Sequence, residues 1–205
     1  MTVNDSAVEL APAEAADLPA TVASVPGRQI ALRDEELVFH QGGQISPVPD
    51  LADALEGRSP AAPAMSQEMD QFAALADDAE TMVTFSSAAP RPVDRVSGSG
   101  LTDPSVDQHG WAWTADDEGA VSAASIDEPG RPALQVQADS LEGVPIASLR
   151  VSRGGTRALI LTDEGEESRI LLAGIIRRGD GEPVRLNDPQ LVDLGAVEPP
   201  AYAAW

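Results

Sequence analysis

One short pattern recurs three times along this chain, and that recurrence restricts the fold more than any other feature. In each copy a small residue or serine closes an apolar strand, a turn follows, and an Ala-rich or apolar strand returns. The copies are Pro63-Ala64-Met65-Ser66 leading to Phe72-Ala73-Ala74-Leu75, Asp103-Pro104-Ser105 leading to Trp111-Ala112-Trp113-Thr114, and Leu149-Arg150-Val151-Ser152-Arg153-Gly154-Gly155-Thr156-Arg157 leading to Ala158-Leu159-Ile160-Leu161. A period of roughly 40 to 50 residues filled by short strands is what propeller blades show, because one blade cannot bury its faces without neighbours. The expected fold is all-β, a partial β-propeller of roughly three four-stranded antiparallel blades.

The copy nearest the C-terminus is the most legible. Ile146 to Val151, Ala158 to Thr162, Arg169 to Ile176 and Pro183 to Leu186 read as four apolar strands, joined by Gly154-Gly155, Glu164-Gly165-Glu166 and Gly179-Asp180-Gly181. Upstream, Ile30-Ala31-Leu32, Glu36 to Phe39 and Gln44 to Val48 predict a meander, with Asp34-Glu35 and the hairpin dipeptide Gly42-Gly43 between them. Residues 1–28 read as the tail of a preceding domain plus a linker, since Ala11 to Arg28 is rich in Ala, Pro and Glu and ends in Pro26-Gly27. Residues 29–205 are then the propeller part. Rings close with roughly four to eight blades, so the chain is expected to be a piece of a larger ring, truncated at its C-terminus.

Charge and composition remove whole classes of chemistry. The 205 residues carry 34 acidic and 13 basic side chains, a formal net charge of −21, and every basic residue is Arg. Such a field repels phosphate backbones and anionic lipid surfaces, so no nucleic-acid partner is expected. With no Lys there is no Schiff-base chemistry, and with no Cys there are no disulfides, thiolate metal sites or thiol nucleophiles. No apolar run is long enough for a signal peptide or a membrane-spanning helix.

The remaining candidates for chemistry have simpler structural explanations. Ser105, Asp107 and His109 share one short turn and cannot converge as a nucleophile triad, so turn capping and Asx-type hydrogen bonds are expected of them. His40 sits beside Gln41-Gly42-Gly43, and one imidazole does not make a transition-metal site. The acidic runs Asp77-Asp78-Glu80, Asp116-Asp117-Glu118 and Asp163-Glu164-Glu166-Glu167 lack the calcium-loop pattern and read as solvated hairpin tips. Trp111 and Trp113, at spacing two, project from one face of a strand. Burial between adjacent blades is the expected role, and exposure as an interface anchor is the alternative. The arginines of the third copy, Arg177 and Arg178 among them, either pair with acidic neighbours or meet an acidic partner. The possible interaction surface is accordingly Trp111, Trp113, Arg177 and Arg178. No catalytic residue, metal ligand or cofactor site is assigned.

Three stretches together carry a resemblance: Asp103 to Thr114, Ile146 to Arg157, and Leu172 to Leu186. Their order and spacing resemble the C-terminal β-propeller of the actinobacterial LpqB lipoprotein family, and Val3 to Leu10 resembles the tail of the GerMN-type domain that precedes it. The resemblance implies a non-enzymatic protein outside the cytoplasm, held at the membrane through a lipid anchor of the parent. It also implies a partner, the extracytoplasmic domain of a two-component sensor histidine kinase governing cell-wall and division processes. A propeller that binds or cleaves carbohydrate in a central funnel stays open as the alternative, as does a translocation-accessory propeller with a peptide-accepting channel.

Overall fold

The computed structural model describes residues 20–25, 28–41, 44–66, 68, 70–87, 92, 94–163, 168–179 and 181–192. They form four antiparallel sheets, each a meander in sequence order. The first contains β1 (Ala20–Val25), β2 (Arg28–Arg33), β3 (Glu36–Gln41) and β4 (Gln44–Pro47). The second contains β5 (Pro60–Met65), β6 (Gln71–Ala76), β7 (Thr81–Ser86) and β8 (Asp94–Ser97). The third contains β9 (Ser105–Val106), β10 (Trp111–Ala115), β11 (Val121–Ser125) and β12 (Leu134–Val136). The fourth contains β13 (Ile146–Val151), β14 (Arg157–Thr162), β15 (Ile170–Arg177) and β16 (Pro183–Leu186), and β17 (Gln190–Leu191) continues the outer edge along β15. A short helix, α1 (Leu51–Ala54), lies between the first two sheets.

The all-β partial propeller is therefore what the chain forms, with four sheets where the repeats indicated about three. The additional unit is completed by β1, which lies inside the stretch read as linker and pairs with β2 from Thr21 opposite Ala31 to Val25 opposite Arg28. Its sequence, Ala-Thr-Val-Ala-Ser-Val, has little local strand signal beyond its valines, and pairing with β2 defines it. The N-terminal reading over Val3 to Leu10, the hairpin dipeptide Gly42-Gly43 and the acidic tip Glu164-Glu166-Glu167 lie outside the described residues. Gln41 nonetheless pairs with Gln44, the register that a two-residue connection requires.

Packing follows from the alternation of side chains along each strand. In β6, Phe72, Ala74 and Ala76 join Ile30, Leu37, Val48 and Leu51 of the first unit. Ala73 and Leu75, on the other face, join Ala112 and Ala124 of the third. In β10, Trp111, Trp113 and Ala115 meet Leu149, Val151, Ala158 and Ile160 of the fourth. Both faces of the middle sheets are covered, so β10 and β11 are buried at every position. Phe72 stacks on Phe85 with ring centroids 5.4 Å apart and meets Phe39 edge-on at 5.0 Å. Such pairs add about 0.5–1.5 kcal/mol each beyond the area they bury.

The first strands lie against one another, β1 with β5, β5 with β9 and β9 with β13, which places them at the inner side of the arc. Several hairpins reuse one turn: the fourth residue donates its N–H to the carbonyl of the first and takes positive φ. Asp107 to Gly110, Asp116 to Gly119, Ser152 to Gly155 and Arg178 to Gly181 all do so, at 3.3, 3.2, 2.7 and 3.0 Å. Gly119 has φ +86, and a Cβ there would lie 1.9 Å from the Leu141 carbonyl oxygen, in the link to the fourth sheet. Gly57 has a similar φ, +79, with open space around it. Gly57→Ala is expected to cost about 1–2 kcal/mol through backbone strain alone. Gly119→Ala should cost about 1–3 kcal/mol beyond that through the clash. Urea unfolding of the two variants side by side checks the difference.

Candidate functional site

Where the third sheet meets the fourth, one carboxylate organises both. Asp107 ends the β9 segment and opens the turn to β10, and its side chain is fully buried. Its Oδ1 accepts the backbone N–H of His109 at 2.8 Å and of Trp111 at 3.3 Å. This capping geometry recurs at Asp116, whose Oδ1 accepts from Glu118 and Ala120 at 3.1 and 2.8 Å. The two aspartates differ in the second oxygen. Oδ2 of Asp107 accepts the indole N–H of Trp113 at 2.8 Å and an Nη2–H of Arg177. Four donors therefore meet the acceptor capacity of one carboxylate, leaving no lone pair for a substrate or a metal.

Arg177 closes the assembly from the fourth sheet. Its Nε–H donates to the Gly155 carbonyl at 2.8 Å and its Nη1–H to the Gly181 carbonyl at 2.6 Å. Its guanidinium carbon lies 5.6 Å from the centroid of the Trp113 ring, a cation–π distance. One side chain thus ties β15, the β13–β14 turn, the β15–β16 turn and the neighbouring sheet. Gly155 is required beneath it, because a Cβ there would sit 2.6 Å from Arg177 Nη2 and 3.0 Å from Asp107 Oδ2.

Most of the surface proposed from sequence is consequently interior. Trp111 and Trp113 are 5% and 0% exposed and belong to the core between the third and fourth sheets. The tryptophans are interior because β10 has a neighbouring sheet on each face, and Arg177 is held below the surface by Asp107, Gly155 and Gly181. Arg178 is exposed and pairs with Glu182 at 2.8 Å. Trp111 is covered by Arg131, whose guanidinium carbon lies 5.2 Å from its centroid. Hydrogen bonds to Glu128, then Glu182, hold the Arg131 pKa above its ordinary value. Asp107 caps its turn through the His109 N–H, whereas Ser105, grouped with it in the sequence, accepts the Val151 N–H at 2.9 Å and bridges the third and fourth sheets. Arg150 pairs with Asp103 at 3.1 Å, so Arg150, Arg177 and Arg178 of the third copy all pair within the molecule. His40 lies within β3, opposite Gln29 and Ile45. Among the described residues no group of three or more His, Cys, Asp or Glu side chains is placed to hold a metal ion.

Sequence reasoning missed how the loops divide their charge. Strand direction alternates, so the turns from second to third strand and the links between sheets share one end of the arc. Asp34-Glu35, Asp77-Asp78 and Asp116-Asp117 all sit there. Backbone hydrogen bonds fasten the loops of the second and third sheets to the neighbouring links: Asp77 to Ser59 at 2.9 Å, Leu101 to Ala79 at 2.7 Å, Asp117 to Ser99 at 3.1 Å and Gly143 to Glu118 at 2.7 Å. The opposite end mixes signs, with Arg131, Arg153 and Arg178 among its acids. Consecutive acids at each tip were visible in the sequence, but their convergence depended on the topology.

The buried pair makes a test. Asp107→Asn leaves the Arg177 guanidinium without its counter-charge and is expected to cost about 3–5 kcal/mol. The double variant with Arg177→Met should be more stable than the sum of the two single losses by about 0.5–3 kcal/mol. Arg178→Ala should fall within about 0.5 kcal/mol of wild type. Denaturant unfolding of wild type and the four variants measures all three quantities.

Known proteins place this geometry. Hsv2 of Kluyveromyces lactis has 8% identity and a TM-score of 0.53, over 83% of this chain and 60% of that one. Hydrazine synthase of Kuenenia stuttgartiensis has 10% identity and a TM-score of 0.53, over 81% and 46%. A prolyl endopeptidase structure has 17% identity and a TM-score of 0.54, over 80% and 28%. At these identities the likeness is one of fold, and the chain spans 60% or less of each of these structures. No curated protein sequence matches it. A family model described as the lipoprotein LpqB beta-propeller domain, which is not an enzyme family, matches residues 35–205. Val3 to Leu10 lies outside that match. The repeated meanders and the extent of the match together establish that the chain belongs to the LpqB lipoprotein β-propeller domain family.

Proposed function

We propose that this chain is a non-enzymatic docking module of an envelope lipoprotein, accessory to a two-component sensor histidine kinase that controls cell-wall and division processes. The observation that carries the reading is the end of the arc where loops of the second and third sheets are fastened to the neighbouring links by backbone hydrogen bonds. A surface fixed before encounter loses little entropy on binding, which is what a docking face requires. Membership in a lipoprotein domain family supports an envelope location, with the anchor supplied by the parent. Among the described residues no helix is long and apolar enough to cross a membrane. By binding one state of the sensor's extracytoplasmic domain better than another, the module shifts the signalling equilibrium by the difference between the two affinities.

The funnel alternative lacks support at the place it needs most. Paired carboxylates for glycoside chemistry would have to face the inner side of the arc. None of β1, β5, β9 and β13 contains Asp, Glu or His. The full-length parent is expected to retain the extracytoplasmic domain of the sensor kinase on an affinity surface at low salt, with retention weakening as salt rises. Absence of retention at every salt concentration, with both proteins folded by circular dichroism, would overturn the assignment.

A further inference from the structure

At the acidic end, between the first two sheets, lies a cleft of about 380 Å³. We propose that it receives a basic, partly apolar segment of a partner protein. This rests on the reading of the chain as a docking module, and it names the end that docks. Its base is the edge of the core between the first and second units, Leu37, Val48 and Leu51, with Pro47 and Ala52 exposed beside them as apolar lining. The rim is acidic, formed by Asp34, Glu35 and Glu36 at the β2–β3 hairpin. Asp34 and Glu35 occupy the turn with φ 49° and 65°, the left-handed pair of a two-residue hairpin, so the backbone fixes where the rim charges start.

Charge balance at the cleft leaves two of the three rim carboxylates without an ion partner. Glu35 and Glu36 form no ion pair among the described residues, and Asp34 reaches Arg33 only at 3.7 Å. Arg58, the one cation among the described residues that line the cleft, is engaged by Glu56 at 3.3 Å, by Glu80 at 3.3 Å and by Asp78. The chemistry that fits an apolar floor beneath a carboxylate rim is an arginine side chain. Its aliphatic stem packs on Leu and Val while its planar guanidinium forks onto carboxylates. The volume lies at the lower end of the range for binding sites, enough for one or two side chains of an extended segment.

The test uses the full chain and three fluorescein-labelled hexapeptides: alternating Arg and Leu, alternating Arg and Ser, and alternating Glu and Leu. Fluorescence anisotropy should show binding of the Arg/Leu peptide, binding about tenfold weaker for Arg/Ser, and none for Glu/Leu. The variant Glu35→Gln/Glu36→Gln, altered only at exposed positions, should weaken Arg/Leu binding about tenfold. Glu118→Gln/Glu142→Gln, which removes the same charge elsewhere at that end, should stay within about twofold of wild type. On adding Arg/Leu, NMR shifts should move at Leu37, Val48 and Leu51. Equal weakening by both variants, or equal binding of Arg/Leu and Arg/Ser, would reduce the effect to diffuse attraction and overturn the proposal, as would no binding. If the sensor domain binds wild type and Glu35→Gln/Glu36→Gln alike, the docking module stands and the cleft assignment falls. If no sensor domain binds at all, the module assignment falls and the peptides still decide the cleft.

Discussion

A short four-stranded meander has two faces and can stay folded only when both are covered, so the stacking of one sheet on the next is the interaction from which the remaining structure follows. The middle sheets show this directly. β6 sends Phe72 to one neighbour and Leu75 to the other, and β10 sends its two tryptophans one way and Ala112 the other. Covering both faces leaves turns, links and outer edges as the places where charge can be carried at little cost. A chain with a net charge of −21 must therefore concentrate acids at its loops. The alternation of strand direction then collects many of those loops at one end.

Asp107 and Arg177 show how an inter-sheet contact acquires specificity. Apolar stacking alone permits sliding between sheets, since hydrophobic contact has little directional preference. A buried carboxylate that must receive the Trp113 indole and the Arg177 guanidinium together fixes one relative position. Buried charge is a hazard unless every partner is present, and here the backbone of three turns supplies the remainder. The same saturation removes Asp107 from consideration as a catalytic group.

The strands of the fourth sheet were legible to within a residue or so, because Ile146 to Val151 and Pro183 to Leu186 are apolar runs bounded by glycine-bearing turns. β1 was not, because Ala and Ser make up half of it and its pairing with β2 is tertiary information. The turn shared by Asp107 to Gly110 and Asp116 to Gly119 could have been found as an Asp followed three residues later by Gly. The partnership of Asp107 with Arg177 had no local signal, since 70 residues separate them. The tryptophans illustrate the intermediate case: spacing placed them on one face, and only the fourth sheet lying against that face decided that they are core.

The sequence by itself determined the repeating strand unit, the acidic balance and the lack of Cys and Lys side chains. These are properties of residue types and their order along the chain. The tertiary structure decided which faces are buried, which carboxylate is saturated, which loops share an end and where a cleft remains between them. Those outcomes depend on which sheets become neighbours in space, and no single strand carries that information.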